Sequence, residues 1–575
     1  MNKHKFRVHH VNFFQPDPKS IHCLAFEYNT KKLAVARSDF SIEIWNLSNT
    51  HFQESVIPGD PGCSVEAVVW CKGRLFSCGL QGYITEYDLL RLVPKYSVPV
   101  TSGPAWCQGF NDRKSLLAVS IGILHFNPVQ SQIGQNWRIL CLAWHESGDV
   151  LVTGSIDAIR IWNVQTGHAK DRILVGRLER NTETIVWCLA VTRCVDTYLV
   201  LSKYPPKICL KYPPFLQSQL SHIAHAARCI LLQYSRRLEL WRLGDTTGEN
   251  GEDGDVLPLS SKVKKLIEIK IKESDILVCS AISSAAEWLA YSTTEQLRLF
   301  RICLEEPNSP SLKKIHSLPN ICLPAHRIVF GPNGDILVVA TQEGSLQVLE
   351  LHHTESITCH SIPIAKEHNS SLIHIMTITT SGRHLVTANI AGYINVYDLK
   401  EYEFLYSLPH YVCPPTALGV NSLTKSVVAL YSDQRLVEYS LEKQEYTAWT
   451  RQIQKGRVSL GLPRYSPIRE VSFDPNDKNL IILHDDSSIF VLDKLYMPVE
   501  RHTKQSRSVQ EKNVNHQVSP EVKGNVHKFV RKCTKYKHLL SFTNLENDEF
   551  VAVEITPSQI LDKLPPLLKQ KKFGT

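Results

Sequence analysis

The stretch GSIDAIRIWNV (154–164) sets Ser155, Asp157 and Trp162 within eight positions, with His145 just upstream. Serine, histidine and aspartate are the parts of a nucleophilic hydrolase, in which the imidazole takes the serine proton and the carboxylate orients the ring. That chemistry asks for a serine lifted on a sharp G-x-S-x-G elbow, or for three separate loops converging on one point. The chain has no such elbow. The bland alternative is that these residues close a strand in something repetitive, and His145 then belongs to the adjoining turn HESGD.

Other chemistries find no better footing. There is no G-x-x-x-x-G-K-[ST], no strand-borne G-x-G-x-x-G, no H-E-x-x-H and no kinase set. GENGEDG has the glycines of a phosphate loop, but its three acidic residues would repel a phosphate. His352 and His353 have no second pair at ligand spacing. The 16 cysteines form no C-x-x-C pair, and several sit in apolar strand-like runs such as Ile139–Ala143. They read as buried free thiols of a reducing compartment. No catalytic, cofactor or metal site is expected, and no small-molecule substrate. No run approaches the ~18 apolar residues of a membrane span, and the basic N-terminus lacks the apolar core of a signal peptide. The charge of +8 over 575 residues leans mildly toward anionic partners.

Repetition decides the opening question. SIEIWNL, YITEYDL, AIRIWNV, RLELWRL, QLRLFRI, SLQVLEL, YINVYDL, RLVEYSL and SIFVLDK all alternate apolar and polar residues, with a large residue third from the end. Period-two alternation is a half-buried strand. Most have a second apolar run upstream (KKLAVA, DVLVTG, DILVVA, RHLVTA, KNLIIL) and a turn between (SDF, LQG, QEG, IAG, SDQ, DDS). The units recur at about 36 to 60 residues, near the ~40–45 of a four-stranded propeller blade. Such a sheet buries both faces only by stacking radially on its neighbours.

About twelve units can be found, and single propellers stop at about eight blades. The expected fold is therefore all-β, two tandem propellers. The second spans 214–556, with seven closing strands marked by Trp241, Phe300, Leu349, Tyr397, Tyr439, Leu492 and FVAVEI around Val553. The first spans 10–213 and is marked by Trp45, Tyr87, Phe126 and Trp162, plus a degenerate unit near 184–213. Pro205-Pro206 and Pro213-Pro214 break that last unit, so the first ring reads about two blades short. Strain on closing five such blades predicts an open or irregular first assembly.

Two insertions interrupt the second propeller. Residues 244–256 are Gly-rich and acidic. Residues 499–538 carry ten Lys and Arg against three Glu, a composition that predicts a largely disordered basic loop. Lys528, Arg531, Lys532, Lys535 and Lys537, with Lys569, Lys571 and Lys572 of the basic tail (557–575), are the candidate RNA-phosphate contacts. Nothing in the chain offers base readout, so recognition would be of backbone and shape.

RSDFSIEIW and GSIDAIRIW resemble WD repeats. The resemblance makes Ser38, Asp39, Trp45, Ser155, Asp157, Trp162 and Trp241 structural, with turn Ser and Asp bonded within the blade and Trp packed beneath. RRLELWRLG, SDQRLVEYSLEKQEYTAWTRQIQK, PIREVSFDP, the opening FRVHHVNFFQPDPKS and the ending LPPLLKQKKFGT resemble the cirhin family of double-propeller subunits of the small-subunit processome. This implies a nucleolar, non-catalytic scaffold of the transcription-coupled subcomplex. It would join WD-repeat and helical subunits on the 5′ external spacer of pre-rRNA, serve 18S rRNA maturation and support rRNA transcription. The alternative is a WD-repeat adaptor that recruits protein substrates, for instance to a ubiquitin ligase.

Overall fold

The computed structural model describes residues 7–100, 103–121, 139–156, 158–175, 185–186, 188–189, 191, 219–245, 261–272, 275–304, 310–316, 318–319, 323–351, 357–364, 372–456, 462, 466–496, 529–536, 538–545 and 549–563. Among them are nine four-stranded sheets, one three-stranded and one two-stranded. In every four-stranded sheet the strands follow chain order, so hairpins alone connect them. The alternating sequences become the third strands, as Ile42–Asn46, Ala158–Asn163 and Arg237–Arg242 show. Some turns between second and third strands need glycine. Gly392 of the turn IAG has φ +90°, and a Cβ there would meet the Tyr411 carbonyl oxygen at 1.9 Å. This is the all-β architecture of WD-repeat β-propellers.

The chain divides into two compact units. One comprises Met1–Asp17, Asn49–Phe52 and Gln217–Thr575, the other Pro18–Ser48 and Gln53–Leu216. The first holds seven sheets, here A (221–270), B (277–314), C (325–362), D (373–407), E (415–446), F (470–533) and G (539–554 with Arg7–Val11). Their first strands touch in the order A to G, and that of G, Leu539–Asn544, returns to that of A, Ser221–Ala224. The core lies between sheets rather than within them. Leu231, Leu238 and Leu240 of sheet A pack with Leu289, Tyr291 and Phe300 of B. Val428 and Leu430 of E pack with Ile481, Leu483 and Phe490 of F.

Polar bonds bridge every seam of this unit. Ser280 Oγ donates to Gln233 Oε1 at 2.7 Å, and Ala325 N–H to Ser292 Oγ at 2.9 Å. His326 Nε2 meets the Ile373 carbonyl at 2.7 Å, and His374 Nε2 the Pro415 carbonyl at 2.6 Å. Gln434 donates to the Ser466 carbonyl at 3.0 Å, and Ser472 to that of Phe542 at 2.9 Å. Between G and A, Arg228 pairs with Glu549 at 2.8 Å.

Sheet G departs from the sequence reading in two ways. FVAVEI was expected as a closing third strand, but Glu549–Glu554 is the second strand of its sheet. The place beside it is filled from the other end of the chain. Strand Arg7–Val11, part of which the reading gave to the first propeller, pairs parallel with Glu549–Glu554 from Arg7↔Glu549 to Val11↔Val553. The signal was missed because RVHHV is short and follows no upstream strand. The segment after it then packs on sheet A: Phe13 lies 4.5 Å from the Trp241 ring and Phe14 5.1 Å from Tyr234. Residues 7–14 thus clasp the last sheet to the first.

The second unit has sheets H (21–57), I (67–99), J (105–121, two strands) and K (141–174). Their first strands succeed one another from H to K. Trp70 Nε1 donates to the Ala25 carbonyl at 3.1 Å and Trp144 Nε1 to that of Gly109 at 2.9 Å, again joining neighbouring sheets. Phe126 and nearly all of the degenerate unit at 184–213 lie outside the described residues.

The clasp makes a testable claim on stability. Phe14 is fully buried, so Phe14→Ala should cost about 3–5 kcal/mol in denaturant unfolding followed by tryptophan fluorescence. A cost under about 0.5 kcal/mol, the range of an ordinary surface change, would show that the segment does not hold the ring.

Candidate nucleic-acid interface

Ser155, His145 and Trp162 of the opening constellation are each bonded within their own sheet. Ser155 is buried, and its Oγ donates to the Ala158 carbonyl at 3.1 Å inside the hairpin turn. His145 Nδ1 lies 2.8 Å from Ser147 Oγ, in the turn at the other end of strand Val150–Gly154. Five residues at ~3.3 Å each part the serine from the imidazole, which rules out proton transfer between them. Asp157 lies outside the described residues. Trp162 is buried, and its Nε1 donates to Thr153 Oγ1 at 2.8 Å on the neighbouring strand.

Sheet H shows the same plan with a charged centre. Ser38 Oγ accepts from Ser20 N–H at 3.1 Å, and Asp39 accepts from Ser41 Oγ at 2.6 Å while pairing with Lys19. Burial works against the Asp39 charge, but Lys19 and Ser41 outweigh it and hold the carboxyl below its usual range. Trp45 Nε1 donates to Glu43 Oε2 at 2.8 Å, and Arg37 clamps the same carboxylate with two bonds of 2.8 Å. Glu43 is 0% and Arg37 1% exposed. Sheet A repeats the device less deeply: half-buried Trp241 donates to Glu239 at 3.0 Å, and Arg237 pairs with that carboxylate at 3.2 Å. The sequence reading named the tryptophans and missed the acids. The signal was present as Glu-x-Trp in both IEIW and LELW, since residues two apart share a face of a strand.

Basic side chains also lie on the first strands of sheets A, C and D. Arg327 Nε donates to the His374 carbonyl at 3.0 Å. Burial first, and then the neighbouring Arg327 charge, push His222 and His326 down to about 4. Burial likewise pushes His374 to about 4. These rings are neutral near pH 7.

Of the candidate phosphate contacts, Arg531, Lys532 and Lys535 are described and exposed. Lys528, Lys537, Lys569, Lys571 and Lys572 lie outside the described residues. Of the stretch 499–538, expected to be a largely disordered basic loop, residues 499–528 and 537 lie outside the described residues and the C-terminal end forms a strand. Val530–Cys533 is the fourth strand of sheet F, paired antiparallel with Ile489–Asp493. Phe529 just before it is 1% exposed and packs into the core between E and F. The cause is the apolar pair Phe529-Val530, set among basic residues, which the count of charges concealed. Lys532 Nζ stands 5.5 Å from the Phe490 ring and Lys535 Nζ 5.9 Å from Tyr536. Arg531 approaches Asp493 at 3.8 Å. Arg531 and Lys532 thus lie on a sheet edge and Lys535 just beyond it, all three exposed.

Comparison with known proteins agrees with this architecture. Residues 126–163 match the family "WD domain, G-beta repeat". The human U3 small nucleolar RNA-associated protein 4 homolog is 29% identical over 705 aligned positions, covering 99% of this chain and all of that protein. The mouse homolog is 28% identical over 699, with the same coverage. U3 small nucleolar RNA-associated protein 4 of Saccharomyces cerevisiae is 30% identical over 212 positions, 31% of this chain and 27% of that protein.

Two predictions follow from the buried charges. Glu43→Gln leaves Arg37 buried beside a neutral amide and should cost about 3–5 kcal/mol in urea unfolding; an unchanged midpoint would refute the clamp. Because His222, His326 and His374 titrate near 4 rather than 6.5, the unfolded chain binds protons that the folded chain refuses between those values. Their contribution to stability is therefore complete above about pH 6.5 and is lost as pH falls toward 4. His222→Gln, which removes a ring whose Nε2 has no hydrogen-bond partner among the described residues, should flatten the fall in melting temperature over that window. An unaltered pH profile would refute the assignment of His222.

Proposed function

We propose that this chain is a non-catalytic scaffold of ribosome biogenesis, a cirhin-type subunit acting with the U3 small nucleolar RNA machinery. The observation that carries the reading is the similarity to the human and mouse U3 small nucleolar RNA-associated protein 4 homologs along essentially the whole length of both partners. WD-repeat sheets whose conspicuous serines, histidines and tryptophans are bonded into the fabric suit a platform rather than an enzyme. In finer terms, the protein works in the nucleolus within the transcription-coupled subcomplex of the small-subunit processome. There it helps assemble the 5′ external transcribed spacer, promotes 18S rRNA maturation and supports rRNA transcription. Its partners are the WD-repeat and helical subunits of that subcomplex and the pre-rRNA. Lys528, Arg531, Lys532, Lys535, Lys537 and the tail lysines meet phosphates.

We read the units as a seven-bladed second propeller over about 214–556, with the strand Arg7–Val11, and a first propeller within about 10–213 that lacks blades. The 699 and 705 aligned positions exceed this chain's 575 residues while covering all of each relative. The relatives therefore hold residues with no counterpart here, enough for two or three blades of ~40–45 residues. That supports a shortened first ring.

Depletion of the protein should lower 18S rRNA and spare 28S rRNA, read by pulse labelling, and the protein should sediment with large pre-ribosomal particles. Equal loss of both rRNAs would point to a general transcription role. Migration in a small RNA-free complex would favour the substrate-recruiting adaptor.

A further inference from the structure

The circumference of the first unit is not evenly charged. Each sheet there ends on an outer edge strand, and the first strands give the order of the sheets around the ring. Sheet F ends on Val530–Cys533 with Arg531 and Lys532, G on Arg7–Val11 with Arg7, A on Lys264–Lys270 and B on Ser311–Lys314 with Lys313 and Lys314. These four sheets are consecutive. The other three edges, Ile357–Ile362, Glu403–Ser407 and Glu445–Tyr446, hold no lysine or arginine, and two of them carry a glutamate.

Lysines on sheet edges commonly deter edge-to-edge pairing. That role would place them on all seven edges, and here they fill one arc and leave the rest bare. Their arrangement is also paired. Lys264-Lys265, Lys313-Lys314 and Arg531-Lys532 are adjacent in sequence and exposed. Neighbours on a strand point to opposite faces, so each of these edges offers a cation on both sides. A polyanion laid along the rim would meet cations astride each edge it crossed. Carboxylates stand near several of these cations: Glu268 lies 2.5 Å from Lys265 and 3.8 Å from Lys270, Glu239 3.6 Å from Lys265, Glu549 3.8 Å from Arg7 and Asp493 3.8 Å from Arg531.

We propose that the outer edges of sheets F, G, A and B form one continuous phosphate-binding arc, along which single-stranded RNA runs by its backbone. This deepens the ribosome-assembly reading, on which the choice of RNA over an acidic protein rests. Contact would be independent of sequence and sensitive to salt.

The test takes one lysine from each of three edges in the full chain: Lys264→Gln, Lys314→Gln and Lys532→Gln together. The control removes three lysines from turns of sheets D and E, away from the outer edges: Lys400→Gln, Lys425→Gln and Lys443→Gln. Binding of an oligouridylate is measured across a salt series. The arc variant should bind more weakly, with a log–log salt slope shallower by about two units, at ~0.7 per lost phosphate contact. The control should keep the parent slope, and the three arc positions changed to Arg should restore it. If the triple variant melts early, the single variants should each lower the slope by about 0.7. An unchanged slope, or equal loss in the control, overturns the arc. Sedimentation separates the two readings. A parent chain absent from pre-ribosomal particles but with an arc-dependent slope refutes the scaffold and keeps the arc. An arc variant lost from particles with an unaltered slope would mean that the rim binds an acidic protein, and the proposal fails.

Discussion

Everything in the larger unit depends on the seams between neighbouring first strands. A four-stranded sheet with two apolar faces has no stable existence alone. The apolar clusters give the attraction, but they are non-directional. Direction comes from the polar bonds that cross each boundary, such as His326 to the Ile373 carbonyl and His374 to that of Pro415. Each fixes one sheet's height against the next. The smaller unit reaches the same end with tryptophan, as Trp70 and Trp144 donate to carbonyls one sheet away.

The buried charges of sheet H follow from this economy. Arg37, Glu43 and Trp45 form a closed set in which the carboxylate takes the guanidinium and the indole together. Buried pairs of this kind add little net stability over an apolar substitute, while removal of one partner is costly. Their use is to fix which rotamers and which strand register are allowed. The same logic explains why Ser155, so suggestive of a nucleophile, is spent on a turn carbonyl.

Much of this was legible in the sequence because period two and a recurring unit length report burial directly. The third strands and the turns that precede them could be read without coordinates. What escaped had a physical reason. RVHHV gives too short an alternation to stand out, and its partner lies at the far end of the chain. VRKC was hidden by its own charges, since an edge strand needs only one buried anchor, Phe529, and can be basic otherwise. Glu43 and Glu239 were passed over because a lone acid in an alternating strand reads as solvent-facing until its arginine is located.

The clasp also sets a clock. His9 meets Glu549 across 540 residues of chain, so the strand that fills sheet G is made long before its partner. At the ribosome's pace of roughly 5–20 residues per second, the N-terminal strand waits about half a minute to two minutes for it. All of residues 18–216 must emerge in that interval. A chain released early would present the first strand with nothing to pair, and sheet A with one face bare. Closure of sheet G therefore waits until Glu549–Glu554 has been made.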